Sequence, residues 1–429
     1  MKILTITLLV LYNIIFIYDI IKKKNFFGLG TIINVSINFN FILYLLKWSN
    51  FIESEPSMNM YILMDTIIVI FIIVMLYSKS PIDVLMKNEK KISFKKINLF
   101  KKKDKVNLYI LINMLYIILF LLENYIGSGK LAPYLSGIDI HTYSAPLISF
   151  VTRALYVMIF LNYICYSSFK EKKFLVFLVI DILLFPVLRG GRINVFMALI
   201  QFGLFFVMYN LPIVMKRKKI LISIIGIGMI FVIAGVYMGN KRVQNNLKGH
   251  ELEGQITYKD HIKYTGPEDP IGILPWYYGY FPMSFANLDK TIQYIDDNNL
   301  RTYGLYTARP ILVGLLELDN IIPEYKDIEY ASSLAQYYTS AATVRTGFME
   351  FYLDFGRLAG ISIAIYAAIG LFIYNKIRKN VFFVSVYAFF AGCWFFMSFQ
   401  NMMIDVTTLY GLIYLFLIYK FCTIKEYID

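Results

Sequence analysis

The run NMYILMDTIIVIFIIVMLY at 59–77 decides the fold class, because Asp65 is its one charged residue. A helix needs about 20 predominantly apolar residues to cross a hydrocarbon core of about 30 Å. Hydrophobic residues make up 58% of the whole chain, whereas a soluble domain has roughly 45–50% even when glycine is counted. The sequence therefore predicts an all-α, polytopic integral membrane protein.

Similar apolar runs recur along the chain and predict about eleven transmembrane helices, with boundaries that can shift by a few residues. The predicted spans lie at 3–21, 27–46, 59–77, 106–126, 146–168, 174–188, 193–211, 220–238, 358–374, 381–399 and 407–422. The first run lacks a small-residue cleavage site, so it predicts a retained anchor. The predicted domains are helices 1–8 at 1–238, an extracytoplasmic cap at 239–357, and helices 9–11 at 358–429.

Lysine and arginine concentrate in alternate connections between these runs, namely 22–24, 79–105, 170–173, 216–219 and 376–379. Short basic loops remain in the cytoplasm, so the remaining connections are predicted to face outward. Those are 47–58, 127–145, 189–192, the long loop 239–357, and 400–406. The formal net charge of +13 therefore reflects membrane topology and not a nucleic-acid-binding surface. We expect a lid or substrate-binding element in the long loop.

The segment Arg189-Gly190-Gly191-Arg192 separates two short apolar runs and lies on the predicted outer side, against the positive-inside bias. Arginine presents a planar fork of donors that fits phosphate at two points, and glycine lets a ligand approach the backbone closely. We interpret Arg189 and Arg192 as phosphate-binding residues. The alternative is a loop whose arginines reach out to lipid headgroups.

Arg153 is predicted about seven residues inside the fifth span, where a charge costs several kcal/mol unless it is paired or faces a polar cavity. Two interpretations stay open. Arg153 either contributes to a substrate site or forms an ion pair with Asp65 or Asp181, which also lie in predicted spans.

The end of the long loop brings Arg345, Glu350 and Asp354 close together in sequence. If this segment is helical, Glu350 and Asp354 share one face, since residues four apart are neighbours on a helix. Such a face can hold a general base beside a cation. The alternative is an interfacial amphipathic helix with ordinary ion pairs.

Five motifs stand out across the chain: FANLD at 285–289, YG at 303–304, TVRT at 343–346, FYLDFG at 351–356 and RGGR at 189–192. Together they resemble the bacterial oligosaccharide repeat unit polymerases, the Wzy-type O-antigen and capsule polymerases. The resemblance implies a membrane glycosyltransferase of the C-type fold, acting on undecaprenyl-diphosphate-linked oligosaccharides at the outer face of the bacterial cytoplasmic membrane. The matching arginines are Arg189, Arg192 and Arg345. Ser340-Ala341-Ala342 departs from the asparagine- or serine-rich approach usual before the TVRT motif.

An outward-facing transferase has no nucleotide sugar available and must take its sugar from a lipid-phosphate carrier. Fixed arginines can neutralise the departing diphosphate without a metal, so no cofactor is expected, and Glu350 or Asp354 is the candidate base for the acceptor hydroxyl. The candidates for substrate binding are Arg153, Arg309, Trp276, Tyr277 and Tyr352.

The alternatives to a polymerase are an O-antigen ligase and a flippase or transporter. An O-antigen ligase would share the fold and the donor, but we expect it to use a loop histidine, and neither His250 nor His261 lies in a matching motif. A flippase or transporter would need symmetric repeats and a charged path at the bilayer midplane, and the sequence shows neither. The expected partners are the lipid-linked oligosaccharide, membrane lipids and a chain-length regulator protein, with no nucleic acid.

Overall fold

The computed structural model describes residues 1–79 except 53, and the ranges 104–133, 146–189, 192–210, 257–313, 344–377 and 381–422, together with seven isolated residues between 214 and 318. Among these residues the chain is mostly helical and forms no strand, and one isolated antiparallel bridge joins Ser49 to Tyr264. The all-α class is therefore confirmed.

The first half of the chain forms helices that follow the predicted apolar runs closely. They are α1 (Lys2–Lys23), α2 (Leu29–Ile33), a π-helical turn (Asn34–Asn38), α3 (Phe39–Leu45), α4 (Met58–Tyr77), α5 (Asp104–Ser128), α6 (Pro146–Thr152), α7 (Leu155–Phe169), α8 (Lys173–Arg189) and α9 (Arg192–Tyr209). The predicted span 220–238 and the basic segment 80–103 lie outside the described residues, apart from isolated positions.

The second half contributes the helices of the long loop and the last apolar runs. They are α10 (Tyr258–His261), α11 (Ile273–Tyr280), α12 (Pro282–Asp297), α13 (Leu305–Leu312), α14 (Met349–Phe355), a 3₁₀ turn (Gly356–Leu358), α15 (Ala359–Lys376), α16 (Val381–Phe395), two further 3₁₀ turns (Phe396–Ser398 and Met402–Ile404) and α17 (Val406–Cys422).

Four helical stretches are long and apolar enough to cross a membrane: Lys2–Lys23, Met58–Tyr77, Val106–Ser128 and Met349–Lys376. Shorter apolar helices lie in five of the other predicted spans, at Leu29–Leu45, Val157–Phe169, Phe196–Tyr209, Phe382–Ser398 and Val406–Leu417. A helix satisfies its own backbone hydrogen bonds, which lipid cannot do. These features are those of a helical membrane protein.

Two predicted spans contain irregularities. The fifth is broken at Arg153 and Ala154, between α6 and α7. The second passes through the π-helical turn, whose Asn38 is fully buried with neither side-chain polar atom partnered among the described residues. Turns of this kind inside helices are frequent near functional sites.

The chain divides into two compact units. The first comprises Met1–Ile82, Pro212–Phe372 and Cys393–Ile404, and the second comprises Asp83–Leu211, Ile373–Gly392 and Asp405–Asp429. The described part of the predicted cap therefore belongs to the same unit as α1 to α4. Each predicted domain is one continuous stretch of the chain, whereas each of the two units combines three separate stretches.

In the first unit, α12 packs on α3 and on the membrane-length helix α4. The Phe285 ring lies 5.6 Å from that of Phe41. The Asp289 carboxylate accepts a hydrogen bond from the Ser57 backbone nitrogen at 3.1 Å, and the Ser57 hydroxyl accepts one from the Met60 nitrogen, which caps α4. Burial raises the pKa of Asp289. These contacts fix α12, which in turn positions the end of the long loop.

The second unit packs α7, α8 and α9 around aromatic rings and one buried polar chain. The rings of Phe160 and Phe205 stack with centroids 4.8 Å apart. The Asn162 side-chain amide donates to the Asp181 carboxylate at 2.6 Å and to the Asn113 side-chain oxygen at 2.8 Å. A buried polar group needs such partners, because unpaired polar atoms are costly inside a membrane protein.

Candidate functional site

The segment from Val344 onward is held in place by two hydrogen bonds that its backbone makes. The Asn287 side-chain amide, on α12, donates to the Val344 carbonyl at 2.8 Å. The Gly347 nitrogen donates to the Met397 carbonyl at 2.7 Å. The loop segment that carries Arg345 is therefore fixed between α12 and the turn that follows α16.

Gly347 packs so closely against the backbone of Asn401 that a Cβ atom at this position would clash with it. A Cβ atom at this position would lie 2.6 Å from the Asn401 nitrogen and 2.7 Å from its Cα. The Ser284 hydroxyl donates to the Ser398 carbonyl at 2.7 Å and fixes the same turn from α12. The close approach brings the start of α14 next to the turn at 398–401.

Glu350 lies in the first turn of α14 and is half-buried. Its Oε2 is inaccessible to solvent and has no hydrogen-bond partner among the described residues. Arg345 lies close enough to attract this carboxylate, and Asp354 lies close enough to repel it. A shielded carboxylate with spare acceptor capacity beside a cation is a suitable general base.

Asp354 has a different environment, although it shares a helix with Glu350. Its fully buried carboxylate accepts hydrogen bonds from the hydroxyls of Thr302 and Thr307. It also accepts from the backbone nitrogens of Tyr306 at 3.0 Å and Thr307 at 2.7 Å, in the first turn of α13. Both oxygens are thus occupied by the start of another helix. This geometry favours a positioning role for Asp354 over proton transfer.

A polar cluster surrounds Asp296 at the end of α12. Its carboxylate pairs with Arg301 at 2.6 Å and accepts hydrogen bonds from the Tyr352 hydroxyl at 2.7 Å and the Asn59 amide at 2.6 Å. The Arg301 guanidinium lies over the Tyr352 ring, 5.6 Å from its centroid, and Arg357 donates to the Asn59 side-chain oxygen at 2.9 Å. Tyr352, predicted to bind substrate, is thus buried in this cluster, and its substrate role stays a prediction.

The other predicted substrate-binding residues of the long loop are packed to different extents. Trp276 is 9% exposed, with its ring 5.0 Å from that of Tyr280. Tyr277 packs against Phe281 at 4.9 Å, and burial raises the pKa of Tyr277 to about 12. These two rings offer little free face to a sugar. Arg309, in the last turn of α13, is half-buried beside Tyr306.

Arg153 belongs to the second unit and sits at the break between α6 and α7. Its guanidinium lies over the Tyr410 ring, 5.4 Å from the centroid. It forms no ion pair with Asp181, whose carboxylate is bonded to Asn162 within the described part of this unit. A cation–π contact of this kind is one way to hold an arginine inside apolar surroundings. Of the two open interpretations, the ion pair with Asp181 is not observed among the described residues, while the substrate role of Arg153 stays a prediction.

Arg189 and Arg192 also belong to the second unit. Arg189 is the last residue of α8 and Arg192 the first residue of α9, while Gly190 and Gly191 lie outside the described residues. The predicted interruption between the two apolar helices therefore stays a prediction.

Sequence reasoning missed several polar residues near the predicted site. Arg301 and Asp296 lie in the long outer loop, and a search for every arginine in that loop would have found Arg301. Ser398 and Asn401 carry no signal in the sequence, because they follow an apolar run like many other helix-ending residues.

The structure thus brings Arg345, Glu350 and Asp354 together in the first unit, with Arg309, Tyr352, Trp276 and Tyr277 in the same unit. Arg153, Arg189 and Arg192 belong to the second unit. No protein-family model matches the chain, and neither the curated proteins nor the solved structures contain a match.

Proposed function

We propose that this chain is a membrane glycosyltransferase that joins undecaprenyl-diphosphate-linked oligosaccharide repeat units into a surface polysaccharide, an O-antigen or a capsule. The proposal rests on the environment of the Glu350 carboxylate. Its shielded Oε2 lies near Arg345, at the beginning of the membrane-length stretch Met349–Lys376. A base beside a cation at the end of a membrane helix suits a reaction between a sugar hydroxyl and a lipid-anchored phosphate.

The proposed reaction is a substitution at the anomeric carbon of the donor glycan. Glu350 takes the proton of the acceptor hydroxyl, and the hydroxyl oxygen forms a bond to that carbon. The bond from the carbon to the phosphate oxygen breaks, and its electron pair leaves with undecaprenyl diphosphate. Asp354 positions the helix that carries Glu350, as its four hydrogen bonds indicate.

The proposal assigns the donor diphosphate to Arg189 and Arg192. Guanidinium groups bind phosphate oxygens at two points, and the motif RGGR places two of them three residues apart in the sequence. Stabilisation of the charge that develops on the leaving phosphate is the largest contribution such a site can make. Arg345 supplies positive charge in the first unit.

We place the enzyme in the bacterial cytoplasmic membrane with about eleven spans and with its active face outside. The alternation of basic loops supports this orientation, and the helices found at the described predicted spans support the number. The cap at 239–357 then faces the compartment where lipid-linked repeat units are polymerised. A chain-length regulator protein is the expected macromolecular partner.

The test is reconstitution of the purified protein in vesicles with lipid-linked repeat units isolated from the same cells. The expected product is a ladder of polymers, with one undecaprenyl diphosphate released for each bond formed. Glu350→Gln protein serves as the inactive control.

Three other results would replace the proposal. Transfer of glycan to a lipid A core without a ladder would identify a ligase. Movement of the lipid-linked unit across the bilayer without bond formation would identify a flippase. Unchanged substrate with folded, membrane-inserted protein would exclude both transfer and polymerisation.

A further inference from the structure

Three buried polar groups with spare hydrogen-bonding capacity lie on two adjoining segments of the first unit. Ser398 is 0% exposed and Asn401 is 2% exposed. Neither the Ser398 hydroxyl oxygen nor the Asn401 side-chain nitrogen has a hydrogen-bond partner in the described part of the chain, and the same is true of Glu350 Oε2. Buried polar atoms are nearly always satisfied, so each such atom calls for an explanation.

The backbone holds these three groups in one neighbourhood. Gly347 contacts the backbone of Asn401 and donates to the Met397 carbonyl. Glu350 is three residues beyond Gly347, which is about one helical turn, or roughly 5 Å along the chain axis. The turn at 398–401 therefore lies beside the first turn of α14. Asn401 is itself fixed, since its Oδ1 accepts from the Met403 nitrogen at 3.1 Å.

The spare capacity of the three groups is complementary to a sugar. Glu350 Oε2 can only accept when ionised, the Asn401 amide nitrogen can only donate, and the Ser398 hydroxyl can do either. Neighbouring hydroxyls of a sugar ring donate and accept at the same time. An anion would be repelled by Glu350, and a cation would be disfavoured by the amide donor.

We propose that Ser398 and Asn401, together with Glu350, form the subsite that binds the hydroxyl-bearing acceptor sugar. This inference rests on the proposed function and adds the acceptor side of the reaction to it. Glu350 removes the proton from the hydroxyl that reacts. Ser398 and Asn401 hold the same ring by hydrogen bonds that do not change during the reaction.

The test uses the repeat-unit oligosaccharide released from its lipid by mild acid, because this glycan can act only as an acceptor. Reconstituted protein receives a fixed amount of lipid-linked donor and increasing amounts of the free glycan. The measured quantities are KM for the free glycan and the rate at saturation, from the yield of non-lipid polymer.

Two variants remove one hydrogen-bonding group each. Ser398→Ala removes the hydroxyl, and Asn401→Asp keeps the oxygen bonded to Met403 but replaces the amide donor. Ser398→Ala should raise KM about threefold to tenfold, the effect of one neutral hydrogen bond, with the rate at saturation nearly unchanged. Asn401→Asp should raise KM at least as much and also lower the rate, because its new carboxylate lies near Glu350 and repels it. Glu350→Gln should show the reverse of the Ser398→Ala pattern.

Thr291→Val is the matched control. It removes a buried hydroxyl of the same unit that already donates to the Asn287 carbonyl at 2.8 Å. Its KM should stay at the wild-type value. Ser398→Ala should also unfold at the wild-type temperature or above, because the hydroxyl bonds nothing described in the fold.

An unchanged KM in both Ser398→Ala and Asn401→Asp, with wild-type polymer formation intact, would overturn the subsite and leave the function standing. Those atoms would then bind only buried water. Absence of polymer from wild-type protein would instead overturn the proposed function, so the two failures are distinguishable.

Discussion

The Asp354 carboxylate accepts a hydrogen bond from the Thr307 backbone nitrogen at 2.7 Å, and this contact joins α14 to the first turn of α13. The backbone adds to the connection, since the Tyr303 nitrogen donates to the Asp354 carbonyl at 3.2 Å. Asp354 is therefore part of the framework that orients Glu350, one turn earlier on the same helix.

Replacing Asp354 by asparagine should destabilise the protein. Asparagine keeps the shape but turns one acceptor oxygen into an amide that faces N–H and O–H donors. A hydrogen bond to a charged group contributes about 1.5–3 kcal/mol, so Asp354→Asn should lower the free energy of unfolding by at least about that amount. Thermal unfolding of the detergent-solubilised protein measures the effect. A normal unfolding temperature with abolished transfer would make Asp354 catalytic instead.

Glu350→Gln should leave stability nearly unchanged and reduce transfer. The substitution preserves size and removes no hydrogen bond of Oε2 to the described residues, so the unfolding temperature should stay close to wild type. Loss of a positioned base should reduce transfer about 10²- to 10⁴-fold, while binding of the lipid-linked donor persists. Undiminished transfer by folded Glu350→Gln protein would remove this residue from the mechanism.

Arg189 and Arg192 should not tolerate lysine. Lysine keeps the charge but loses the planar fork that binds phosphate at two points, so Arg189→Lys and Arg192→Lys should each lose much of the activity. Alanine should lose more, because the charge on the departing diphosphate is then unneutralised. The measurement is the ladder of polymer lengths at equal protein abundance. Full-length polymer from the double alanine variant would exclude the diphosphate role. That result is expected if the arginines merely reach lipid headgroups.

Gly347→Ala should disturb both stability and transfer. The added Cβ would meet the Asn401 backbone at 2.6 Å, and overpacking of this kind costs about 1–3 kcal/mol. Gly203→Ala is the control, because among the described residues no other part of the chain lies within 4 Å of a Cβ at that position of α9. Alanine there should stabilise the helix by about 0.5–1 kcal/mol. Thermal unfolding and polymer formation should separate the two variants, and equal behaviour would contradict the close contact.

Glu55 should contribute stability that depends on pH. Its carboxylate pairs with Lys47 at 3.0 Å and with Lys2 at 3.1 Å, and the hydrogen bonds from Lys47 and Lys2 lower the pKa of Glu55 from 4.5 to about 2. The folded protein thus binds the proton less readily than the unfolded chain. The stabilisation is complete above pH 4.5 and is lost as the pH falls through about 2.

The Glu55 contribution is small, because the side chain is half-exposed and screened by salt. The difference in unfolding temperature between wild type and Glu55→Gln should be constant above pH 4.5 and should decrease as the pH falls toward 2. High salt should also reduce this difference. A difference that persists unchanged at pH 2 would contradict the ion pairs.

The apolar runs determined the helices because a helix in lipid must satisfy its own backbone groups, whatever its neighbours are. The run at 59–77 forms the helix Met58–Tyr77, and the run at 407–422 forms Val406–Cys422. The break at Arg153 and the π-helical turn were not predictable in the same way. Both lie inside predicted spans, where polar residues occur in each case, but residue type alone does not reveal whether the helix is regular.

The sequence also identified Glu350 and Asp354 as neighbours on one helical face, because that depends only on their spacing. It could not separate their roles. Thr302 and Thr307, which occupy the Asp354 carboxylate, come from about fifty residues away in the chain, and local spacing carries no information on such contacts. The tertiary structure alone decided that Asp354 is saturated with hydrogen bonds while Glu350 keeps a shielded oxygen without a partner among the described residues, because burial and partner choice depend on which distant segments pack together.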